Sequence, residues 1–267
     1  MKEKNIEISL WGLEPSINFD ICQDFIKNCL DYFINTNKIS YSTNCGLGFN
    51  QQKYLIDCLE LYSRPIELDI QFSIDGPNWI TNNTRQVGAN EKVISVIKQI
   101  LEYSKQLKNI KISGHLKPTL DSHYMKILAD DDEKFYEFYN FFYDLKKEFN
   151  KIQGTFDIDY GIPTLVIPHY HTVEDGIIFT KFLNKINKYK KEFNQPLFAQ
   201  TLVAVKEALN NDFSFYMCSA GSFTLAIDCD GEIYGCHNLF KLSYDDSLDD
   251  AIRAQSSKYN NKEKLMW

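Results

Sequence analysis

Strand-like and helix-like periods alternate along most of this 267-residue chain. The alternation predicts an α/β fold of parallel strands joined by right-handed helical crossovers. Two further observations point the same way. Turn sequences built on Gly, Pro and Asn follow several of the strand-like runs, at the end where α/β folds collect their chemistry. Hydrophobic residues make up 44% of the chain, charged residues 24% and aromatic residues 14%, enough to fill a sizeable core and unlike disordered or coiled-coil sequence. At about 150 residues per domain the length allows roughly two domains, or one large domain of α/β-barrel size.

The elements follow in order. Ile6 to Trp11 alternates as a strand, and Phe19 to Phe33 recurs as a helix with Asp20 in its first turn. Lys38 to Thr43 is β-like, Gln51 to Tyr62 is helical and stops before Pro65, and Glu67 to Ile74 reads as a strand closed by Asp75-Gly76-Pro77. A helix is predicted over Glu91 to Leu107 and a strand over Asn109 to Ile112. The helical stretch Ser122 to Phe149 repeats Phe135, Phe138, Tyr139 and Phe142 at core spacing. Asp130-Asp131-Asp132-Glu133 interrupts it, its carboxylates suiting the start of a second helix. A strand near Pro163 to Ile167 and a helix from Glu174 to Phe193 complete the first domain, placed at residues 1–200. Residues 201–267 change style. Phe223 to Tyr234 reads as a β-hairpin turning at Asp230-Gly231.

The net charge of −7 argues against a dedicated nucleic-acid binder, which needs a basic face. No apolar run approaches the roughly 18 residues of a membrane span, and the first ten residues alternate instead of forming a signal-peptide core. We therefore expect a cytoplasmic protein. Seven cysteines without a secretory signal suggest reduced thiols. Cys22, Cys29 and Cys58 lie on helical apolar stripes and read as small buried hydrophobes.

Several polar residues stand at strand ends. Glu14, between Leu13 and Pro15, places a carboxylate where an ammonium group would be held, and Gly12 allows close backbone approach. Ser73 and Asp75 alternate with Phe72 and Ile74, which would put both on one strand face. Arg85 follows Asp75 by ten residues and could grip a carboxylate with two hydrogen bonds. Taken singly, these are also what an ordinary strand-ending turn and a surface arginine look like. Together, Trp11-Gly12-Leu13-Glu14-Pro15 resembles the W-G-G-E-P motif of radical S-adenosylmethionine enzymes, and Thr43-Asn44-Cys45-Gly46 resembles their T-N-G loop. Ser73-Ile74-Asp75-Gly76-Pro77 with Arg85 resembles the S-x-D-G-P-x7-R segment of the subgroup carrying SPASM domains. Cys218 followed by Gly231 and Cys236 resembles the SPASM opening, C-x(9–15)-G-x4-C.

The resemblance implies a partial parallel (β/α)6 barrel, followed by a small SPASM-like hairpin region. It further implies that Gly12, Glu14, Pro15, Ser73 and Arg85 bind S-adenosylmethionine, Glu14 at its amino group and Arg85 at its carboxylate. Cys218 and Cys236 would ligate an auxiliary 4Fe-4S cluster. His237, where sulfatase-maturing members place an aspartate base, could take a proton near neutral pH. The implied activity is oxidative modification of a peptide or protein by a 5′-deoxyadenosyl radical, with flavodoxin or ferredoxin as electron donor. The family's C-x3-C-x2-C triad and the later SPASM cysteines are absent from this sequence, so we expect truncation at both ends and no cofactor cleavage by the chain as it stands. The alternative expectation is a non-catalytic barrel that binds a peptide or partner. His169 and His171 alternate at a strand end, so both could face one side and ligate a metal, though with no third ligand evident they read as exposed loop histidines; Lys185 to Lys191 reads as a solvated helix face.

Overall fold

Five short runs with alternating apolar side chains form one all-parallel sheet in the computed structural model, which describes residues 6–10, 14–152, 158–160, 164–165, 172–193, 226–227 and 233–234. The strands are β1 Glu7–Leu10, β2 Lys38–Thr43, β3 Ile66–Phe72, β4 Ile110–Leu116 and, after the two-residue β5 Thr119–Leu120, β6 Ile158–Tyr160. They lie in the order β1-β2-β3-β4-β6, each beside its sequence neighbour in this sheet. Strands laid down in one direction by right-handed crossovers keep all their connecting helices on a single face. The α/β class is thus observed, with a singly wound sheet.

Those connections are α1 Phe19–Tyr32, α2 Phe49–Glu60, α3 Asn78–Thr84 and α4 Ala89–Ser104, followed by α5 Ser122–Asp130 and α6 Asp132–Lys151. β7 Thr164–Leu165 pairs with β5 in a separate two-stranded parallel sheet, and α7 Val173–Phe193 follows it. One buried cluster joins Ile39, Tyr41, Leu68, Ile70, Phe72, Ile112 and Leu116 from alternate strand positions to helix residues such as Ile26, Leu55, Ile97, Phe138 and Phe182. The intervening strand positions contribute nothing to that cluster: Glu7, Lys38, Glu67 and Lys111 are exposed, and Asp69, Gln71, Ser113 and His115 are partly exposed. One sheet face is therefore apolar and covered, and the other polar.

Most of the elements lie where periodicity places them. The acidic run divides α5 from α6. Asp131 caps α6 by accepting from the Lys134 N–H at 2.9 Å, and Asp132 and Glu133 fill the first turn. The structure departs from the sequence reading in several places, beginning with α3 and β5, which that reading did not contain. β3 ends at Phe72, so Ser73 and Asp75 do not extend a strand face. β6, absent from the reading, is the fifth strand of the main sheet, whereas the predicted strand near residue 165 belongs to the small sheet. Cys22, Cys29 and Cys58 are only partly buried, and their neighbours Phe25 and Leu61 are exposed. Lys185 is not on a solvated face. Its side chain is 9% exposed, its ammonium lies 2.7 Å from Asp132 and donates to the Ala129 carbonyl at 3.2 Å, and it docks α7 on the junction of α5 and α6.

The chain divides into two units, Met1–Lys206 and Glu207–Trp267. In the second, β8 Ala226–Ile227 pairs antiparallel with β9 Ile233–Tyr234, Ala226 opposite Tyr234, and the predicted turn at Asp230-Gly231 lies outside the described residues. Among the described residues no helix is long and apolar enough to cross a membrane.

Candidate functional site

Parallel strands end at the same edge, so the loops after β1, β2 and β3 emerge together there. Glu14 is the N-cap of a short 3-10 turn, Pro15–Asn18, with Pro15 at its first position, where a missing N–H costs nothing. Its carboxylate binds across to the end of β2. Oε1 accepts from Ser16 N–H at 3.2 Å, from Thr43 Oγ1 at 2.9 Å and from the Ser16 hydroxyl, while Oε2 accepts from Asn44 N–H at 2.6 Å. Oε1 is full and Oε2 keeps one lone-pair direction open.

Thr43 is the hub of this edge. It is 1% exposed; its hydroxyl donates to Glu14 and accepts from Cys45 N–H at 2.9 Å and from Gln52 Nε2 at 3.3 Å, which uses its whole capacity. Gln52, fully buried, accepts in turn from the Tyr41 hydroxyl at 2.6 Å. Burial pushes the Tyr41 phenol well above its usual range, with Cys45 and Glu14 adding to the shift. Burial, and then the Glu14 charge, likewise push the Cys45 thiol far up, so it is held protonated. Cys45 has φ +58°, the turn that lets the chain leave β2 for α2.

The Ser73 N–H donates to the Thr43 carbonyl at 2.9 Å, continuing the ladder beyond β3. Asp75 lies in a different environment, 2% exposed. Oδ1 accepts from Arg85 Nη2 at 2.8 Å and from Thr119 N–H at 2.8 Å; Oδ2 accepts from Thr84 Oγ1 at 2.7 Å and lies 2.8 Å from Arg85 Nε. The bidentate grip predicted for Arg85 therefore exists, and its carboxylate is Asp75. The guanidinium is 26% exposed on its side chain and retains N–H groups beyond those facing Asp75. Gly76 is fixed beside it, its N–H donating to Thr81 Oγ1 at 2.9 Å and its carbonyl accepting from Thr81 Oγ1 at 2.7 Å and Asn90 Nδ2 at 2.6 Å.

The structure brings Glu14, Ser73 and Arg85 to this edge. Gly12, Cys218, Cys236, His237, His169 and His171 lie outside the described residues. The sequence reading placed Thr43 in the T-N-G-like loop without giving it a role, and did not single out Gln52, which is buried, or Thr84 and Thr119, which meet Asp75 only through the fold. Nor did it notice Asp69, Gln71 and His115 on the polar sheet face, although polar residues at every second strand position are the signal for such a face. Among the described residues no three His, Cys, Asp or Glu side chains come together as a metal site. The described thiols are Cys22, Cys29, Cys45 and Cys58, and burial raises each of them. They do not fit an iron–sulfur cluster, which needs gathered thiolates. No protein-family model, curated protein or solved structure matches the chain.

Proposed function

We propose that this chain is the cofactor-binding part of a radical S-adenosylmethionine protein that acts on a peptide or protein. The observation carrying the reading is the convergence of Glu14, Ser73 and Arg85 at one edge of a singly wound parallel sheet, as expected of an open (β/α)6 barrel. The donor set suits the amino-acid half of S-adenosylmethionine. Glu14 Oε2 has a lone pair for an ammonium, and Arg85 has N–H groups for a carboxylate while Asp75 holds the guanidinium in place. In the family these motifs resemble, the bound cofactor supplies the hydrogen-abstracting radical. What this chain's own residues do is bind and orient it.

One observation favours the second reading, a non-catalytic module that binds a peptide or partner. Glu14 and Arg85 already serve internal partners, so both would be kept by folding alone. Calorimetric titration with S-adenosylmethionine separates the two. The first reading expects binding, weakened about 10- to 100-fold in Glu14→Gln, the worth of one charge-assisted hydrogen bond. Absence of binding, or equal binding by Glu14→Gln and Arg85→Lys, overturns it in favour of the module.

A further inference from the structure

β1 stands at one end of the main sheet. It pairs with β2, and no described strand pairs with its outer side. Such an edge offers backbone donors and acceptors to an added strand, and soluble proteins blunt it with lysine, proline or a bulge. β1 has none of these, its register with β2 being continuous. Its one charged residue, Glu7, shares a row with Lys38, Glu67 and Lys111 and is held by Lys38 at 3.1 Å.

α1 is the first helix of the layer, so α2 covers one of its flanks and the other lies beyond the β1 edge. Asp20, Gln23, Lys27 and Asp31 are on the α2 side. Tyr54 donates to Asp20 at 2.9 Å, Gln23 donates to Cys58, and Lys27 and Asp31 border the same cleft as Leu55 and Leu59. Phe19, Ile26 and Leu30 point into the core. At about 100° per residue, Ile21 and Phe25 fall on the opposite flank. They are 66% and 44% exposed, with Cys22 and Cys29 partly buried beside them. The charged side chains of α1, Asp20, Asp24, Lys27 and Asp31, all project elsewhere. α4, which packs against both α2 and α3, exposes no large apolar side chain. α1 thus has the composition of a helix covered on two flanks and the cover of only one.

We propose that this edge and flank form the interface of a homodimer, in which a second copy extends the sheet through β1 and packs its α1 against this one. A two-fold axis at Ile8 pairs the strands antiparallel, with Ile6 opposite Leu10 of the copy and Glu7 opposite its Ser9. Apolar side chains then meet on the covered face and polar ones on the other. Two features select a copy of this chain as the occupant. Chains with a net charge of −7 repel one another, so they associate through a seam free of unpaired carboxylates, and the Ile21–Phe25 flank is such a seam. The two-fold also uses the open edge of each copy on the other, which closes the assembly and leaves neither β1 exposed.

Sedimentation equilibrium of the purified chain should give twice the mass of one chain at about 10–100 μM. Ile21→Glu and Phe25→Glu each place a carboxylate at the seam twice and should weaken the dimer at least about 100-fold. Leu61→Glu, at a more exposed apolar position at the end of α2, should leave it unchanged. Melting curves check that each variant folds. In the dimer the β1 amides should exchange with deuterium several-fold more slowly than in the Phe25→Glu monomer, while those of β3 stay alike. A native monomer at every concentration, a dimer indifferent to both glutamates, or β1 exchange equal in dimer and monomer overturns the proposal. A native monomer with slow β1 exchange overturns it in favour of a further strand of the same chain on that edge. None of these substitutions touches Glu14, Ser73 or Arg85, so the outcome is independent of S-adenosylmethionine binding.

Discussion

Gly76 shows how a single position is fixed from two sides. Its φ of +151° lies in a region that side-chain-bearing residues rarely adopt. A Cβ there would meet Ile80 Cδ1 and Phe138 Cδ2, each at 3.0 Å. Phe138 is fully buried in the core, so it has little room to withdraw. Gly76→Ala is therefore expected to destabilise the protein by about 1–3 kcal/mol, combining backbone strain with overpacking. Urea denaturation checks it, and a variant as stable as the native protein would show that the turn relaxes. The Asp-Gly-Pro sequence announced the turn, because those residues favour such backbone by their own chemistry. The carboxylate that occupies Arg85 was not legible, because Asp75 and Arg85 meet through the fold and a ten-residue spacing does not encode their contact.

At the scale of an element, the polar side chains aligned across β2, β3 and β4 couple stability to pH. The Asp69 carboxyl is held below its ordinary range chiefly by its hydrogen bond to His115, against the opposing effect of burial, with Ser113 and Lys38 helping. Glu7, Glu67 and Lys111 are the other charged groups in the adjoining row. A carboxyl lowered in the folded state contributes stability that is fully present above its unfolded value, near 3.9, and is lost as pH falls through the folded value. Asp69→Asn should thus be less stable than the native protein at about pH 5–6, with the difference closing below about pH 4. Urea midpoints across that range measure it, and a difference constant with pH would assign Asp69 a merely steric role. Strands β2 and β3 and helices α1, α6 and α7 were legible from local periodicity and caps. β6 was not, since its three residues carry too short a pattern and owe their place to pairing with β4.

Over the first unit as a whole, the division between a covered apolar face and a polar face should appear as an asymmetry between neighbouring residues. Ile70 and Gln71 are consecutive in β3 and belong to opposite faces. Ile70 is fully buried in the cluster that joins the sheet to the helices, so Ile70→Ala should cost about 2–5 kcal/mol. Gln71 is partly exposed beside His115, and Gln71→Val should change stability by less than about 0.5 kcal/mol, since a β-branched side chain suits the strand. The same pair of substitutions separates architectures. A doubly wound sheet carries helices on both faces and tolerates apolar residues on either, whereas a singly wound sheet closing toward a barrel keeps one face for its lumen. Paired urea titrations of the two variants make the comparison. Equal, large losses at both positions would mean that the second face is also packed. A loss confined to Ile70 would show that the polar face is not packed against helices, as a singly wound sheet requires.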